Sequence, residues 1–280
     1  MTLKPTIATL GPAGTFSDRV AQEFRASLGG DAELVYCSSI KKVFQAVDAV
    51  NHYGIVPIEN LSEGFIPVVL DLLVAFDLKI VGEIIIPITF SCVAAVPELK
   101  QIKRLYVQFV SRGQCTDFIE SLPAPAEIVT TESNTEALVR MKSDAEPCAA
   151  IVPDQFAEPG DFPLLLDNIN DYPNNRTRFF VLAGRHTAHP ACTSPNCKTS
   201  IIIVNDDDHP GLLEKILSSF SKRKINLLAI TSRPTKEEFG RYHFFIGLAG
   251  HRDETQVREA LTEIGKVGRV KILGSYERAG

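Results

Sequence analysis

The sequence predicts an α/β protein in which a large two-lobed part is followed by a small α/β domain. The 280 residues exceed the roughly 100–200 of an average domain. Strand-like and helix-like segments alternate over residues 1–183, as expected for a sheet covered by helices. A stretch rich in proline, threonine and serine then interrupts the hydrophobic pattern. We expect a larger part over residues 1–185, a linker over 186–198 and a smaller domain over 199–280.

Two cycles of strands and helices make up the larger part, and each cycle predicts one lobe. The first comprises strand Thr6–Leu10, helix Ser17–Leu28, strand Ala32–Tyr36, helix Ile40–Val47 and strand Tyr53–Val56. The second begins at Leu78 and comprises strands Phe90–Ala95 and Arg104–Val107, helix Cys115–Ser121, strand Glu127–Thr130, helix Thr135–Lys142, and strands Ala149–Val152 and Arg178–Leu182. Such alternation predicts mostly parallel sheets. A cleft between two lobes is the usual place for a small ligand.

The smaller domain reads as βαββαβ, the order of a ferredoxin-like domain. Its elements are strand Ser200–Val204, a loop over 205–211 broken by proline and glycine, helix Leu212–Phe220, strands Ile225–Ser232 and Arg241–Leu248, helix Asp253–Gly265 and strand Val270–Leu273. Apolar residues recur at helical spacing in its first helix, and basic residues follow that helix, as its dipole prefers.

Composition narrows the function classes. The net charge of −5 argues against a dedicated nucleic-acid binder, which carries a basic face. No apolar run approaches the roughly 20 residues needed to span a bilayer. The N-terminus does not resemble a signal peptide, and so we expect a cytosolic protein. The six cysteines include no Cys-x-x-Cys pair, and we expect buried or reduced thiols.

Two motifs in the larger part carry groups that suit an anionic ligand. Gly11–Ser17 joins a strand to a helix, and the free N–H groups at a helix start favour an anion. An equally good interpretation is a tight turn with Thr15 as N-cap and Asp18 completing a capping pattern. Glu59 and Asn60 end a strand, where open α/β sheets hold ligands, although a polar loop would have the same composition.

Two further motifs are less specific. In the segment over residues 174–180, Arg178 could pair with a carboxylate and Thr177 could donate a hydrogen bond to a leaving oxygen, or the segment could be an asparagine-rich turn. In the smaller domain, residues 209–213 with Asn226 and residues 231–234 could frame an amino-acid site or be ordinary loops.

No metal or nucleotide site is expected. His186 and His189 lack partners at metal-ligand spacing, and Cys192 and Cys197 match no zinc pattern. The sequence also has neither a Walker loop nor a Gly-x-Gly-x-x-Gly motif.

Taken together and in order, the motifs resemble those of the prephenate dehydratase family. They are Gly-Pro-Ala-Gly-Thr-Phe-Ser at 11–17, Val-Pro-Ile-Glu-Asn at 56–60, Leu-Asp-Leu-Leu at 70–73, Asn-Asn-Arg-Thr-Arg-Phe at 174–179, Pro-Gly-Leu-Leu at 210–213, Ser-Arg-Pro at 232–234 and Leu-Gly-Ser-Tyr at 273–276. This resemblance implies a two-lobed catalytic domain like the periplasmic binding proteins. It also implies a ferredoxin-like ACT domain that binds phenylalanine as feedback inhibitor.

The resemblance further implies a reaction and its residues. Family enzymes convert prephenate to phenylpyruvate, carbon dioxide and water, without a cofactor or metal, on the route to phenylalanine. Thr177 would assist departure of the hydroxyl, and Arg178 would hold a substrate carboxylate or brace the loop. The remaining implied catalytic positions are Glu59, Asn60 and Gln114, and the implied substrate-binding positions are Gly14, Thr15, Phe16 and Ser17. The implied phenylalanine site comprises Pro210, Gly211, Leu212, Leu213, Asn226, Leu227, Ser232, Arg233 and Pro234.

Several positions depart from the usual family pattern. Val107, Gln108 and Phe109 stand where Ser-His-Pro is usual, and the resemblance places a hydroxyl of that segment in the active site. Leu61 and Val69 replace a serine and a threonine, and Thr231 replaces a glutamate before Ser-Arg-Pro.

The alternatives are an arogenate dehydratase, a decarboxylase that does not aromatise its substrate, and a non-catalytic phenylalanine sensor. Retention of Thr177 argues against the decarboxylase, whereas Val107 and Val69 favour the sensor. Prephenate and phenylalanine are the expected small-molecule partners. ACT domains generally pair through their sheets, and so we expect a homodimer or homotetramer.

Overall fold

The computed structural model describes residues 4–49, 52–123, 125–184, 187, 189, 191–204 and 209–279. The strands in these ranges form three sheets, two in the larger part and one in the smaller domain. No helix among the described residues is long and apolar enough to span a membrane. Part of the expected linker (186, 188 and 190, which includes His186) and part of the expected loop (205–208) lie outside the described residues.

The helices and strands of the larger part agree closely with the predicted ones. In chain order they are β1 (Thr6–Leu10), α1 (Phe16–Ser27), β2 (Glu33–Cys37), α2 (Ile40–Ala49), β3 (Tyr53–Asn60), β4 (Gly64–Phe65), α3 (Pro67–Ala75), β5 (Lys79–Pro87), β6 (Phe90–Ala94), β7 (Arg104–Gln108), α4 (Phe109–Gly113), α5 (Thr116–Glu120), β8 (Glu127–Thr131), α6 (Asn134–Ser143), β9 (Cys148–Pro153), β10 (Leu164–Leu166) and β11 (Arg176–Ala183). The elements missed by the prediction are β4, α3, β5, α4 and β10.

The larger part has two sheets, as expected for two lobes, but their membership differs from the prediction: β11 and the segment after Leu78, which forms β5, were assigned to the second lobe and belong to the first sheet. The first sheet has the order β2-β1-β3-β11-β5, with β4 beside β3, and the second has the order β10-β6-β9-β7-β8. The prediction of mostly parallel sheets is wrong, because β11 is antiparallel to both of its neighbours and β6 is antiparallel to β9. The chain leaves the first lobe along β5 and returns along β11, and so these adjacent strands must run in opposite directions.

Strand β11 presents alternate residues to two cores. Phe179 and Val181 lie in a core that spans both lobes. Phe180 and Leu182 lie in the core on the other side of the first sheet. Successive side chains of a strand point to opposite faces, and so one strand contributes to the cleft side and to the side that meets the smaller domain.

The smaller domain is ferredoxin-like, as predicted. Its elements are β12 (Cys197–Val204), α7 (Leu212–Ser221), β13 (Leu227–Pro234), β14 (Tyr242–Ala249), α8 (Thr255–Ile264) and β15 (Arg269–Glu277). The antiparallel sheet has the order β13-β14-β12-β15, and its helices cover one face through an apolar core.

The other face of this sheet packs on the larger part. Ile202, Phe245 and Tyr276 belong to the same buried core as Ile58 and Phe180 of the first lobe. Phe180 makes ring contacts with Phe245 and Tyr276, at centroid distances of 6.4 and 6.0 Å. The two parts of the chain therefore share a hydrophobic core.

One expectation about the cysteines is wrong. Cys192 and Cys197 form a disulfide with a Cα–Cα distance of 6.2 Å. A turn at Ser194, whose hydroxyl accepts a hydrogen bond from the Asn196 amide, brings the two thiols together. The other four cysteines are free, as expected: Cys37, Cys92, Cys115 and Cys148. Burial raises the pKa of the Cys92 and Cys115 thiols to about 12.

Candidate active site

A cleft of about 530 Å³ opens between the two lobes, within the size range of small-molecule sites. Its walls come from the start of α1, the end of β3, the segment through β4 to α3, strand β11, and helix α4 of the second lobe. The described lining residues are Leu10, Phe16, Ser17, Pro57, Asn60, Glu63, Gly64, Phe65, Ile66, Pro67, Ile88, Phe90, Gln108, Val110, Ser111, Gln114, Asn134, Thr177 and Phe179.

Asn60 and Thr177 form the central polar pair of this cleft. They lie opposite each other on the adjacent strands β3 and β11, and both are 7% exposed. The amide of Asn60 donates a hydrogen bond of 2.9 Å to the Thr177 hydroxyl oxygen. Because this oxygen accepts from Asn60, its own proton is free to be donated to another group.

A turn after β3 fixes the orientation of the Asn60 amide. Its Oδ1 accepts hydrogen bonds from the Ser62 backbone amide (3.0 Å), the Ser62 hydroxyl (2.7 Å) and the Glu63 backbone amide (3.2 Å). The carbonyl end is thus fully used, and the Nδ2 end must face Thr177.

Gln114 of the second lobe also lines the cleft and is linked to Asn60 through Glu63. Its Nε2 donates to Glu63 Oε1 at 2.8 Å, and its Oε1 accepts from Asn175 Nδ2 at 3.2 Å. Glu63 and Asn175 were not singled out in the sequence. Glu63 lies three residues after Asn60 and Asn175 lies two residues before Thr177. Their closeness in sequence to these two assigned residues was the signal that could have identified them.

Only two of the four expected substrate-binding residues reach the cleft. Phe16 and Ser17 line it, whereas Gly14 and Thr15 do not. The Thr15 side chain caps helix α1 by accepting from the Asp18 amide, and the Asp18 carboxylate accepts from the Gly14 amide at 2.7 Å. These contacts match the capping interpretation of the motif.

Gly14 instead joins the two lobes. Its φ of 84° and the Phe156 ring, which lies 2.3 Å from where a Cβ would be, require glycine here. Gln155 of the second lobe donates to the Gly14 carbonyl at 2.8 Å.

Arg178 and Glu59 lie on the opposite face of the first sheet from Thr177 and Asn60. They pair with each other, and neither lines the cleft. Arg178 also lies 3.5 Å from the buried carboxylate of Glu83, which accepts a hydrogen bond of 2.9 Å from Lys198 of the smaller domain. The expectation that Arg178 holds a substrate carboxylate is therefore corrected: strand alternation turns it away, and its contacts suit the bracing role.

The positions that depart from the family pattern mostly lie outside the cleft. Val69 is fully buried in the core that the first lobe shares with the smaller domain, and Val107 of β7 is fully buried in the core that spans both lobes. The missing hydroxyl of Val107 is therefore not a missing cleft group. Leu61 is exposed. Gln108 does line the cleft, and its side chain caps helix α4 by accepting from the amides of Val110 and Ser111. Phe109 beside it is 74% exposed.

The residues expected to bind phenylalanine do not form one site in a single chain. Gly211, with a φ of 87°, begins α7 at the end of the sheet where β13 finishes with Ser232, Arg233 and Pro234. Asn226 and Leu227 lie at the other end of β13. Five residues of extended strand from Leu227 to Ser232 span roughly 16 Å.

Several of these effector residues already have partners. Arg233 pairs with Asp71 of helix α3 at 3.2 Å, and Leu212 is buried in the core of the smaller domain. Pro210, Ser232 and Pro234 are exposed at the same end of the sheet.

Glu63 is the single ionisable side chain among the described lining residues. The described residues also contain no group of three or more His, Cys, Asp or Glu placed to hold a metal ion. The chemistry available in this cleft therefore rests on one carboxyl group, a threonine, two serines, two asparagines and two glutamines.

Comparison with known proteins gives a consistent result along the whole chain. The family model for prephenate dehydratase matches residues 7–187, and the model for the ACT domain matches residues 199–266.

Individual relatives show the same correspondence. A bifunctional chorismate mutase/prephenate dehydratase of Aquifex aeolicus is 36% identical over 99% of this chain and 74% of its own length. A prephenate dehydratase of Methanocaldococcus jannaschii is 34% identical over 98% of both chains. The crystal structure of the Arthrobacter aurescens prephenate dehydratase in complex with L-Phe is 31% identical, with a TM-score of 0.82 over 98% of this chain and 90% of that chain.

Proposed function

Since this chain belongs to the prephenate dehydratase family, we propose that its interlobe cleft converts prephenate to phenylpyruvate, carbon dioxide and water. The observation that carries the proposal is that Asn60, Thr177 and Gln114, which come from three separate motifs, line one cleft. Asn60 donates a hydrogen bond to Thr177, and Gln114 is linked to Asn60 through Glu63. Asn60, Thr177 and Gln114 are the polar active-site positions that match the family.

The reaction needs hydrogen-bond donors for a leaving hydroxyl and for carboxylates. In prephenate the bond to the ring carboxylate breaks, its electron pair enters the ring, and the hydroxyl leaves as water. Thr177 donates its hydrogen bond to the leaving oxygen, with Asn60 fixing the orientation of the hydroxyl. A substrate carboxylate lies at the start of α1 beside Ser17, where helix geometry provides free N–H groups.

The division of the chain follows from this assignment. We propose a catalytic domain over residues 1–185, a linker over 186–198 and a regulatory ACT domain over 199–280. We propose that phenylalanine binds where α7 begins and β13 ends, beside Pro210, Gly211, Ser232 and Arg233, and that this binding inhibits the enzyme. The L-Phe complex of the Arthrobacter aurescens relative supports the same ligand.

We also propose that the protein is a cytosolic homodimer or homotetramer. Strand β13 is an edge of the sheet, and it leaves the apolar side chain of Ile230 45% exposed. An unpaired strand edge is a template for pairing with another chain. Light scattering of the purified protein tests the assembly, and a monomer at micromolar concentration would contradict it.

An assay of phenylpyruvate formation from prephenate tests the activity. Thr177→Ala should lower kcat by about 10²-fold or more, because the leaving hydroxyl loses its donor, whereas Thr177→Ser keeps the hydroxyl and should retain most activity. Product identification by ultraviolet absorbance and mass distinguishes phenylpyruvate from the product of a simple decarboxylase, and the same assay with arogenate as substrate tests for an arogenate dehydratase. The proposal fails if the protein gives no phenylpyruvate above the spontaneous rate.

A further inference from the structure

The charge balance of the proposed reaction requires a source of one proton. Prephenate enters as a dianion with two carboxylates. Phenylpyruvate leaves with one negative charge, and carbon dioxide and water leave uncharged. Each turnover therefore consumes one proton, which goes to the departing hydroxyl.

Thr177 does not by itself meet this requirement. An alcohol that gave up its proton would become an alkoxide and would need another acid to restore it. Among the described lining residues, Glu63 alone has an acidic side chain. The cleft therefore contains one group of the required chemistry.

Glu63 is held beside the polar pair of the cleft. It lies in the turn between β3 and β4, its backbone amide donates to Asn60 Oδ1 at 3.2 Å, and its Oε1 accepts from Gln114 Nε2 at 2.8 Å. The residue is exposed to solvent, and so a proton lost from the carboxyl can be replaced from water.

We propose that Glu63 is the general acid of this cleft, an inference that rests on the proposed function. The C–O bond of the ring hydroxyl breaks while that oxygen takes the proton of the Glu63 carboxyl and leaves as water. The C–C bond to the ring carboxylate breaks in the same conversion, its electron pair completes the aromatic ring, and carbon dioxide leaves. Solvent then returns a proton to the Glu63 carboxylate.

Glu63→Gln separates this role from a structural one. The glutamine can still accept a hydrogen bond from Gln114 Nε2, but it cannot transfer a proton. We expect kcat to fall by about 10²-fold or more, while KM stays the same or falls because a negative charge is lost near a dianion. Glu23→Gln, an exposed change on α1, should leave both constants unchanged.

Chemical rescue gives the second measurement. Glu63→Ala leaves space for a small acid, and so formic or acetic acid should restore turnover in proportion to the concentration of the acid form. A glutamate that only positions Gln114 would give no such rescue. Normal kcat in Glu63→Gln, or a rise in KM alone, would overturn the general-acid role while leaving the proposed function intact. An inactive unmodified protein would overturn both.

Discussion

At the residue scale, neighbouring side chains of β11 serve different sides of the first sheet. Thr177 faces the cleft, where it accepts a hydrogen bond from Asn60. Arg178 faces the junction with the smaller domain, where it lies near Glu83. Arg178, the residue next to the proposed catalytic threonine, thus lies beside the buried ion pair of Glu83 and Lys198.

Lys198→Met tests this buried pair. The side chain of Lys198 is 3% exposed and that of Glu83 is fully buried; burial lowers the pKa of Lys198, and the charge of Glu83 opposes this shift. Removing the lysine leaves a carboxylate that has lost its closest cation. We expect the free energy of unfolding, measured by urea denaturation, to fall by about 3–5 kcal/mol.

The matched control is the double variant Lys198→Met with Glu83→Gln. It removes both charges, and replacing a buried pair by neutral groups is often close to neutral in stability. The double variant should therefore be more stable than Lys198→Met alone. A loss below about 1 kcal/mol in the single variant would show that the pair is already well solvated.

Val107→Thr tests whether the departures from the family pattern reduce activity. Val107 is fully buried in an apolar core, and a hydroxyl there lacks an evident partner. We expect the free energy of unfolding to fall by about 1–3 kcal/mol with turnover unchanged. A higher kcat in the assay for phenylpyruvate would instead place this position in the active site.

At the element scale, the smaller domain holds helix α3 at two places. Arg233 and Lys236 pair with Asp71 at 3.2 and 2.7 Å. Lys271 donates to carbonyls at the C-terminal end of the helix, those of Leu73, Val74 and Phe76, at 2.6–3.1 Å. The residues immediately before α3 line the cleft, and so this helix connects the proposed effector site with the proposed active site.

Asp71→Asn tests that connection. A phenylalanine carboxylate at the Ser-Arg-Pro segment would compete with Asp71 for Arg233, and so effector binding would loosen α3. Without the Asp71 charge, calorimetry should still detect phenylalanine binding, but inhibition at saturating phenylalanine should weaken about fivefold or more. Turnover without phenylalanine should fall toward that of the phenylalanine-bound protein, because the contact between Arg233 and residue 71 is already weakened.

Asp31→Asn is the control for the loss of one acidic charge, because Asp31 is exposed and distant in sequence from this contact. Unchanged inhibition in Asp71→Asn would refute transmission through α3.

The pH dependence of the same contact follows from Asp71. Burial opposes ionisation, but hydrogen bonds and charges from Arg233 and Lys236 outweigh it and hold the pKa of Asp71 below its usual value. The stabilisation is therefore complete above the ordinary aspartate pKa of about 3.9 and is lost as pH falls through the lowered value. The stability difference from Asp71→Asn, measured by urea denaturation, should shrink below about pH 4.

The pattern of elements explains which parts of the fold could be predicted. Amphipathic helices such as α1 and α7 show apolar residues at helical spacing. Helix α3 has one charged residue in nine, because both the first lobe and the smaller domain cover it, and so periodicity gave no signal. Strand direction is absent from a hydrophobic pattern, which is why the antiparallel course of β11 was missed.

The candidate site shows a similar limit. Asn60, Gln114 and Thr177 were identified from motifs, and they meet in the cleft. The face of the sheet to which Glu59 and Arg178 point depends on how β3 and β11 are paired. The register of this pairing shifts between Arg178 and Phe179. The alternation of side chains along a strand predicts that neighbouring residues point to opposite faces of the sheet. It does not tell which of the two residues faces the ligand.

At the scale of the whole molecule, the smaller domain is packed into the larger part rather than attached to it by the linker alone. Phe245 and Tyr276 complete a core that begins in the first lobe. Strand β15 approaches β5 so closely that Gly274 lies against the backbone of Ile80. A shared core predicts cooperative unfolding of both parts in one transition.

Gly274→Ala tests the docking of the two parts. A Cβ at this position would lie 2.0 Å from the Ile80 carbonyl oxygen, an overlap that backbone atoms relieve only by moving β15 away from β5. The smaller domain keeps its own core between sheet and helices and should remain folded after it separates. We therefore expect thermal unfolding followed by circular dichroism and calorimetry to change from one transition to two, with phenylalanine inhibition lost. Gly113→Ala is the control, because a Cβ there meets open space, and it should keep the single transition. A single transition in Gly274→Ala would show that β15 and β5 shift enough to accommodate the Cβ while the two parts stay packed together.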